Sequence, residues 1–505
     1  YCSHKVSELP LRMIQKYLCA SLLLSMVISC SSIPQRHSLN EKLDAQWSNY
    51  IAARALLLQR IDDPTIPIEK KPITREEWEK RIQLEGGYAI LPDDLAELKA
   101  QQEKRIEESR ELALRESVIH LDVVKTKHQI KKFCSAIPKG GMLHVHPAGT
   151  LTTKSIHHLL QAQNPLIYPK DFLENMQAAK ANLSSEEISW IKSLSKEKRF
   201  TQLSRLDQKK FESFLLLPKG HQEFSRFNAV FHFIGLLTPE LSIYTEAIEE
   251  FVKQARREGV IYVEFTGHVD AETLALAERI QKETHVYIRM NRSFNRAESL
   301  DQIERKWQKT LAMSPSPYFV GIDLLDNEDS NSALEKGQLL YGEALSAKLH
   351  GKTNLHRTMH AGEIGDARNP RDAIILGAER LGHGVLLEND VVALEYASKI
   401  KMPIETNLSS NLRLTSIHKL SEHPYLKYLR LGLPVSLSTD DEGIFEVDIN
   451  HECEIAIQDT DVTYSELKKM AMNSIETSFA SAEDKSALLK TLKDSFEKFE
   501  LKWKN

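Results

Sequence analysis

Leu355-His356-Arg357-Thr358-Met359-His360, followed across a span with helical spacing by Leu381-Gly382-His383-Gly384-Val385-Leu386-Leu387, is the stretch whose reading decides the fold. Each run is short, apolar or β-branched, and bounded by polar or glycine-containing sequence, which is the signature of a strand. Outward from it the same rhythm recurs at Met142 to His146, Val260 to Thr266, Val286 to Met290, Tyr318 to Leu325, Met402 to Asn407 and Pro434 to Thr439. Eight strands alternating with helical segments pair in parallel, and the count points to a closed (β/α)8 TIM barrel, an α/β fold; an open doubly wound sheet shares the same local grammar.

In such barrels the chemistry sits at the carboxyl ends of the strands. There the sequence places His144-Val145-His146, His360-Ala361-Gly362-Glu363, Gly382-His383-Gly384 and Asp440-Asp441. Alternate strand residues point the same way, so His144 and His146 can offer nitrogens to one ion, with His360 and one of the two aspartates completing the set. Three imidazoles and a carboxylate suit Zn2+, while Fe2+ and Co2+ remain open on ligand type alone. Taken singly, an HxH pair is more often two ordinary histidines, and Asp440-Asp441 could be a charged turn; their convergence on strand ends makes the metal reading. His157, His158, His221, His232 and His451 read as structural or surface residues.

Met142-Leu143-His144-Val145-His146, Met359-His360-Ala361-Gly362-Glu363, Arg380-Leu381-Gly382-His383-Gly384 and Ser438-Thr439-Asp440-Asp441 resemble, in order and spacing, the signature blocks of adenosine deaminases. Gly321-Ile322-Asp323-Leu324, Ser410-Asn411 and Asn473 to Phe479 extend the resemblance, which covers about Lys139 to Phe479. The secreted branch, the adenosine deaminase-related growth factors, is closer still. The resemblance implies one Zn2+ per subunit on His144, His146, His360 and Asp440, and hydrolytic deamination of adenosine or 2′-deoxyadenosine to inosine and ammonia. It also implies that Glu363 protonates the purine ring, that His383 orients the attacking water, and that Asp441 hydrogen-bonds the hydroxide and the ring. A homodimer through the N-terminal helices is a further implication.

Two departures bear on substrate. Where family members hold the ribose with an acid, this chain has Pro147 and Ala148, and Asp326 stands where the cytosolic enzymes place a glycine against the purine. Asp326 is therefore a substrate-contact candidate, and another aminopurine is an alternative substrate. Two other readings compete. A binuclear amidohydrolase would need a bridging lysine, and none lies between Tyr318 and Leu334. A secreted binding or signalling barrel would have no need of Glu363, His383 and Asp441 together.

Outside the barrel, 41% hydrophobic and 27% charged residues describe a globular chain, and a net charge of −5 without a polybasic face gives a nucleic-acid partner no support. Met13, Lys16 and the apolar run Leu18 to Ile28 resemble a signal peptide over residues 1–30. Val27-Ile28-Ser29-Cys30 resembles a lipobox, so export to the periplasm, with a lipid anchor at Cys30 as the membrane contact, is expected. Residues 31–137 read as a charged, proline-broken helical extension and 138–505 as the barrel, with a helical insertion after the first strand around Ser184 to Lys210. Only Cys134 and Cys453 then remain in the folded part, which excludes a disulfide framework; two buried thiols are expected, with one bridge as the alternative.

Overall fold

The computed structural model describes residues 37–62, 73–83, 89–124, 126–167, 173–174, 184–194, 198–237, 242–313, 315–328, 332–414 and 416–503. The expected signal peptide and Cys30 lie outside them. Among the described residues no helix is long and apolar enough to cross a membrane.

Eight parallel strands form the central sheet in sequence order: β1 (Gly140–Val145), β2 (Val260–Gly267), β3 (Tyr287–Asn295), β4 (Phe319–Leu325), β5 (His356–Ala361), β6 (Arg380–His383), β7 (Ile404–Thr406) and β8 (Val435–Leu437). The sheet is the barrel that the run count predicts. Two bounds differ from the sequence reading by more than two residues: β3 continues to Asn295, and β6 stops at His383, where positive φ at His383 (62°) and Gly384 (64°) turns the chain into a 3-10 segment, Val385–Asn389. An extended ladder cannot pass through two left-handed residues.

Closure between β8 and β1 combines a short backbone pairing with side-chain bonds. A bridge pairs Val145 with Asp440, and the Ser438 hydroxyl accepts from the backbone N–H groups of Leu143 (2.9 Å) and His144 (3.2 Å). Outside, the helix Tyr464–Glu476 clasps the seam: Ser474 Oγ accepts from Gly141 N at 2.7 Å, and Asn473 Nδ2 donates to Val435 O at 3.0 Å. The family-like segment Asn473 to Phe479 thus serves barrel closure.

The extension contributes α1 (Leu39–Asp62), α2 (Arg75–Ile82), α3 (Pro92–Glu116) and α4 (Lys127–Ala136). Pro92 opens α3, where a missing N–H costs nothing. These helices share the barrel's core: Tyr50, Trp78 and Phe133 belong to the same apolar cluster as the strands. Trp78 Nε1 donates to the buried Asp372 at 3.0 Å. Cys134 of α4 is bonded to Cys453 of the helix Ile449–Asp459, so the expectation of two free thiols is corrected to a single bridge closing 319 residues. The two sulfurs are brought together by packing of α4 on that helix, which no local sequence signal announces.

Between β1 and β2 lie α5 (Thr153–Gln163), α6 (Ser185–Ser193), α7 (Arg205–Ser213), α8 (Phe224–Leu237) and α9 (Ser242–Arg257). This insertion has its own apolar core, which includes Ile444 and Phe445 from the turn after Asp440-Asp441. Phe227 stacks on Phe445 with ring centroids 5.4 Å apart, so the insertion packs directly behind the aspartate-bearing loop.

Candidate active site and metal centre

Three strand-end histidines are oriented by the same device. His144 Nδ1 lies 2.8 Å from Glu405 Oε2, His146 Nδ1 is 3.2 Å from the carbonyl of Thr266, and His360 Nδ1 is 3.1 Å from Asp323 Oδ1. Carboxylate and carbonyl oxygens only accept, so each ring carries its proton on Nδ1 and presents the lone pair of Nε2. The three Nε2 atoms converge: His360 and His146 are 3.2 Å apart there, and Asp440 Oδ1 is 3.5 Å from His144 Nε2 and 3.3 Å from His146 Nε2. Lone pairs facing one another without protons between them suit a cation, and the buried His144 Nε2 has no protein partner. His144, His146 and Asp440 form one set able to hold an ion. Histidines donating Nδ1–H to outer acceptors are the usual arrangement around a bound metal.

Local backbone makes this approach possible. A Cβ on Gly382 would stand 2.8 Å from His144 Cε1, so glycine there lets the ring lie against β6. Asp440 adopts φ of 61°, which turns its carboxylate off the end of β8 toward the ligands. Burial opposes ionisation of Asp440, but the adjoining His144 and His146 hold its carboxyl well below the usual range.

Glu363 and His383 border the same point, with Oε1 and Nε2 3.8 Å apart, and His383 Nε2 is 4.0 Å from Asp440 Oδ2. Burial, then the charges of Asp440 and Glu328, push the Glu363 carboxyl well up, toward its neutral form. Burial pushes His383 well down, so it is neutral. Asp441 is buried with neither oxygen hydrogen-bonded, and burial together with Asp440 raises its carboxyl. A Cβ on Gly149 would meet Asp441 Oδ1 at 1.7 Å, so the turn after β1 is shaped around this side chain.

Thus seven of the eight residues singled out from the sequence come together; Asp326 does not join them. It sits past β4 with φ of 87°, half-buried, and its Oδ1 accepts from Asn228 of α8 at 3.1 Å and from Asn327 N at 2.6 Å. Sequence reasoning gave no role to Asp323, Glu328 or Glu405. Glu328 accepts from Gly362 N (2.7 Å) and Glu363 N (2.8 Å), fixing the turn that carries Glu363. Glu405 also accepts from Thr358 Oγ1 (2.8 Å) and Arg380 Nε (2.6 Å), and Arg380 in turn meets Glu264 at 2.5 Å and lies over the Phe479 ring at 3.5 Å. For Asp323 and Glu405 a carboxylate inside a strand run was the available signal, since a buried charge survives only with partners.

The family model for adenosine deaminase matches residues 138–495, well over half of the chain and every residue of the cluster. The chain belongs to the adenosine deaminase family. An adenosine deaminase of Clostridium perfringens is 34% identical over 171 residues, 34% of this chain and 51% of that protein. One from Photorhabdus laumondii is 37% identical over 134 residues, covering 26% of this chain and 40% of that protein. The chain thus spans about half the length, or less, of these curated relatives. Among solved structures, an adenine deaminase from Arthrobacter aurescens superposes with a TM-score of 0.55 at 22% identity, covering 71% of this chain and 99% of its own. The N6-methyl-AMP deaminase of Arabidopsis thaliana gives 0.52 at 19% identity, with 72% and 98% covered. Both likenesses establish the fold. The matched region carries the clustered histidines and aspartate, a set able to hold a metal ion.

Proposed function

We propose that this family member is a zinc-dependent deaminase of a purine nucleoside: adenosine, or 2′-deoxyadenosine, plus water gives the corresponding inosine and ammonia. The observation that carries the reading is the opposition of protonation states at one point. Three Nε2 lone pairs and the Asp440 carboxylate face a position bordered by a carboxyl, Glu363, that burial keeps protonated.

His144, His146, His360 and Asp440 would hold the ion, one per subunit, which when bound supplies the Lewis acidity that makes water nucleophilic near neutral pH. Glu363 delivers a proton to the ring nitrogen beside the amine-bearing carbon, so that attack does not load the purine with a full negative charge. His383 orients the attacking water from its place between Glu363 and Asp440. Asp441, neutral and unpartnered in the protein, hydrogen-bonds the purine ring. At the rim, Asp326 and its partner Asn228 are the side-chain candidates for contact with the rest of the substrate.

A second reading, another aminopurine, is favoured by Pro147 and Ala148 standing where family members place the ribose-binding acid. The experiment is a panel of nucleosides, deoxynucleosides and free aminopurines incubated with metal-replete protein, with ammonia release and purine absorbance followed together. Turnover of adenosine or deoxyadenosine supports the first reading, and turnover of a free base alone supports the second. Absence of ammonia from every member would leave a binding or signalling barrel and sink both.

Export belongs to the same proposal. The Cys134–Cys453 bridge is support for it, because structural disulfides persist in oxidising compartments. The lipid anchor at Cys30 rests on the sequence, and mass analysis of membrane fractions tests it. Self-association through the N-terminal helices is supported by exposed Leu112 and Leu114 on α3, and sedimentation measures it.

A further inference from the structure

Behind His383 runs a line of buried hydrogen bonds whose direction can be read without ambiguity from its far end. The backbone N–H of Tyr425 donates to His423 Nδ1 at 3.1 Å, so that nitrogen is an acceptor. Burial, with no charged partner, lowers His423 to about 3, so the ring is neutral and its one proton sits on Nε2. That Nε2 lies 3.0 Å from Asn411 Oδ1, which fixes the amide: oxygen toward His423, nitrogen toward His383. Asn411 Nδ2 then donates to His383 Nδ1 at 2.9 Å, and Asn407 Nδ2 stands 3.5 Å from the same nitrogen. His383 Nδ1 is therefore an acceptor. A neutral ring in that setting carries its proton on Nε2, the atom that faces the reaction point and has no protein partner. The three candidate ligand histidines have the opposite sense, with Nδ1 protonated and Nε2 bare. One cluster thus contains two tautomers, separated by whether an acceptor or an amide donor lies behind the ring.

We propose that His423 and Asn411 are positioning residues that lock His383 as its Nε2–H tautomer, so that His383 meets the attacking water as a hydrogen-bond donor and is denied the metal-ligand role of its neighbours. The reading rests on the deaminase assignment for its kinetic consequence, though the tautomer itself does not. Gly382 and Gly384 let the chain turn here, but glycines do not choose a ring nitrogen; the amide does. His423 and Asn411 are 6% and 0% exposed, so water does not compete for the line.

The test uses the full chain loaded with zinc and labelled with 15N in histidine. Long-range proton–nitrogen correlation at neutral pH should show His383 with protonated Nε2 and bare Nδ1; the reverse pattern overturns the proposal. Asn411→Asp presents two acceptor oxygens, so the His383 proton should move to Nδ1. The expected result is a fall in kcat of at least about 100-fold, with KM within about threefold and zinc content unchanged. An Asn411→Asp protein with an inverted tautomer and undiminished kcat also overturns it. His423→Gln keeps an oxygen for Tyr425 N–H and a donor for Asn411, and should stay within about threefold of the parent kcat, whereas His423→Phe should not; equal rates for these two would overturn the relay. Should Asn411→Asp fail to fold, the parent spectrum and the His423 pair decide. A protonated Nε2 in a protein that turns over no purine would uphold the relay while sinking the deaminase.

Discussion

Replacing Glu405 with Gln separates metal binding from barrel integrity at one buried position. Its carboxylate is 1% exposed and accepts on both oxygens: His144 Nδ1 on one, Arg380 Nε and Thr358 Oγ1 on the other. Glutamine has only one acceptor oxygen, so its NH2 must face a donor in either orientation. Turned toward Arg380, it opposes a guanidinium; turned toward His144, it forces that proton onto Nε2, the atom offered to the ion. Loss of such an outer partner lowers metal affinity by about 10- to 100-fold, roughly 1.4–2.7 kcal/mol. The stability cost should stay below the about 3–5 kcal/mol of a fully broken buried pair, because Arg380 retains Glu264. Zinc affinity from competition with a chromophoric chelator, with thermal unfolding of the metal-free protein alongside, reads both quantities. A folded Glu405→Gln protein with parent zinc affinity would refute the claim that Glu405 sets the His144 tautomer.

Glu363→Gln should keep its zinc by elemental analysis yet lose about 10²- to 10⁴-fold in ammonia release, and the parent's kcat/KM should decline on the alkaline side as Glu363 gives up its proton. Glu452, fully buried and raised to about 7 by desolvation, makes the folded state favour the neutral acid. Below the usual value of 4.5 it has no effect, stability falls as pH rises from there to about 7, and above that the penalty levels at about 3 kcal/mol. Glu452→Gln, which can still accept from Ser409 N, should therefore gain stability over the parent at pH 8 and little at pH 4.5; a gain independent of pH in urea titrations would contradict this. Cys453→Ser should lower stability by about 2–4 kcal/mol under oxidising conditions and match the parent in reductant, as calorimetry with and without a thiol would show.

The barrel was legible because parallel strands buried on both faces must be short apolar runs, and the runs at Val260, Tyr318 and Leu355 match β2, β4 and β5 within a residue or so. The clustering of His144, His146, His360 and Asp440 was legible for a related reason: all four fall at strand ends, where register brings them together. Glu405 and Asp323 were not, since such an acceptor is defined by which ring it faces across the sheet, and Glu328 was not because it holds a turn on a different strand end; neither is written in a local pattern. Asp326 was chosen by likeness of position alone, and its left-handed backbone and bond to Asn228 of the distant α8 set it apart from the cluster. The Cys134–Cys453 pairing likewise depends on two helices meeting from opposite ends of the chain.

That meeting makes the described chain a closed circuit. Phe133, next to the bridge on α4, is held edge-on by Phe499 (5.4 Å) and Trp503 (5.2 Å) of the terminal helix Ala482–Trp503. Excising the stretch that carries the family signature would strip Tyr50, Trp78 and Phe133 from the wall they complete and leave a wide oily flank open to water. The minimal autonomous unit is therefore larger than the barrel alone, and includes α1.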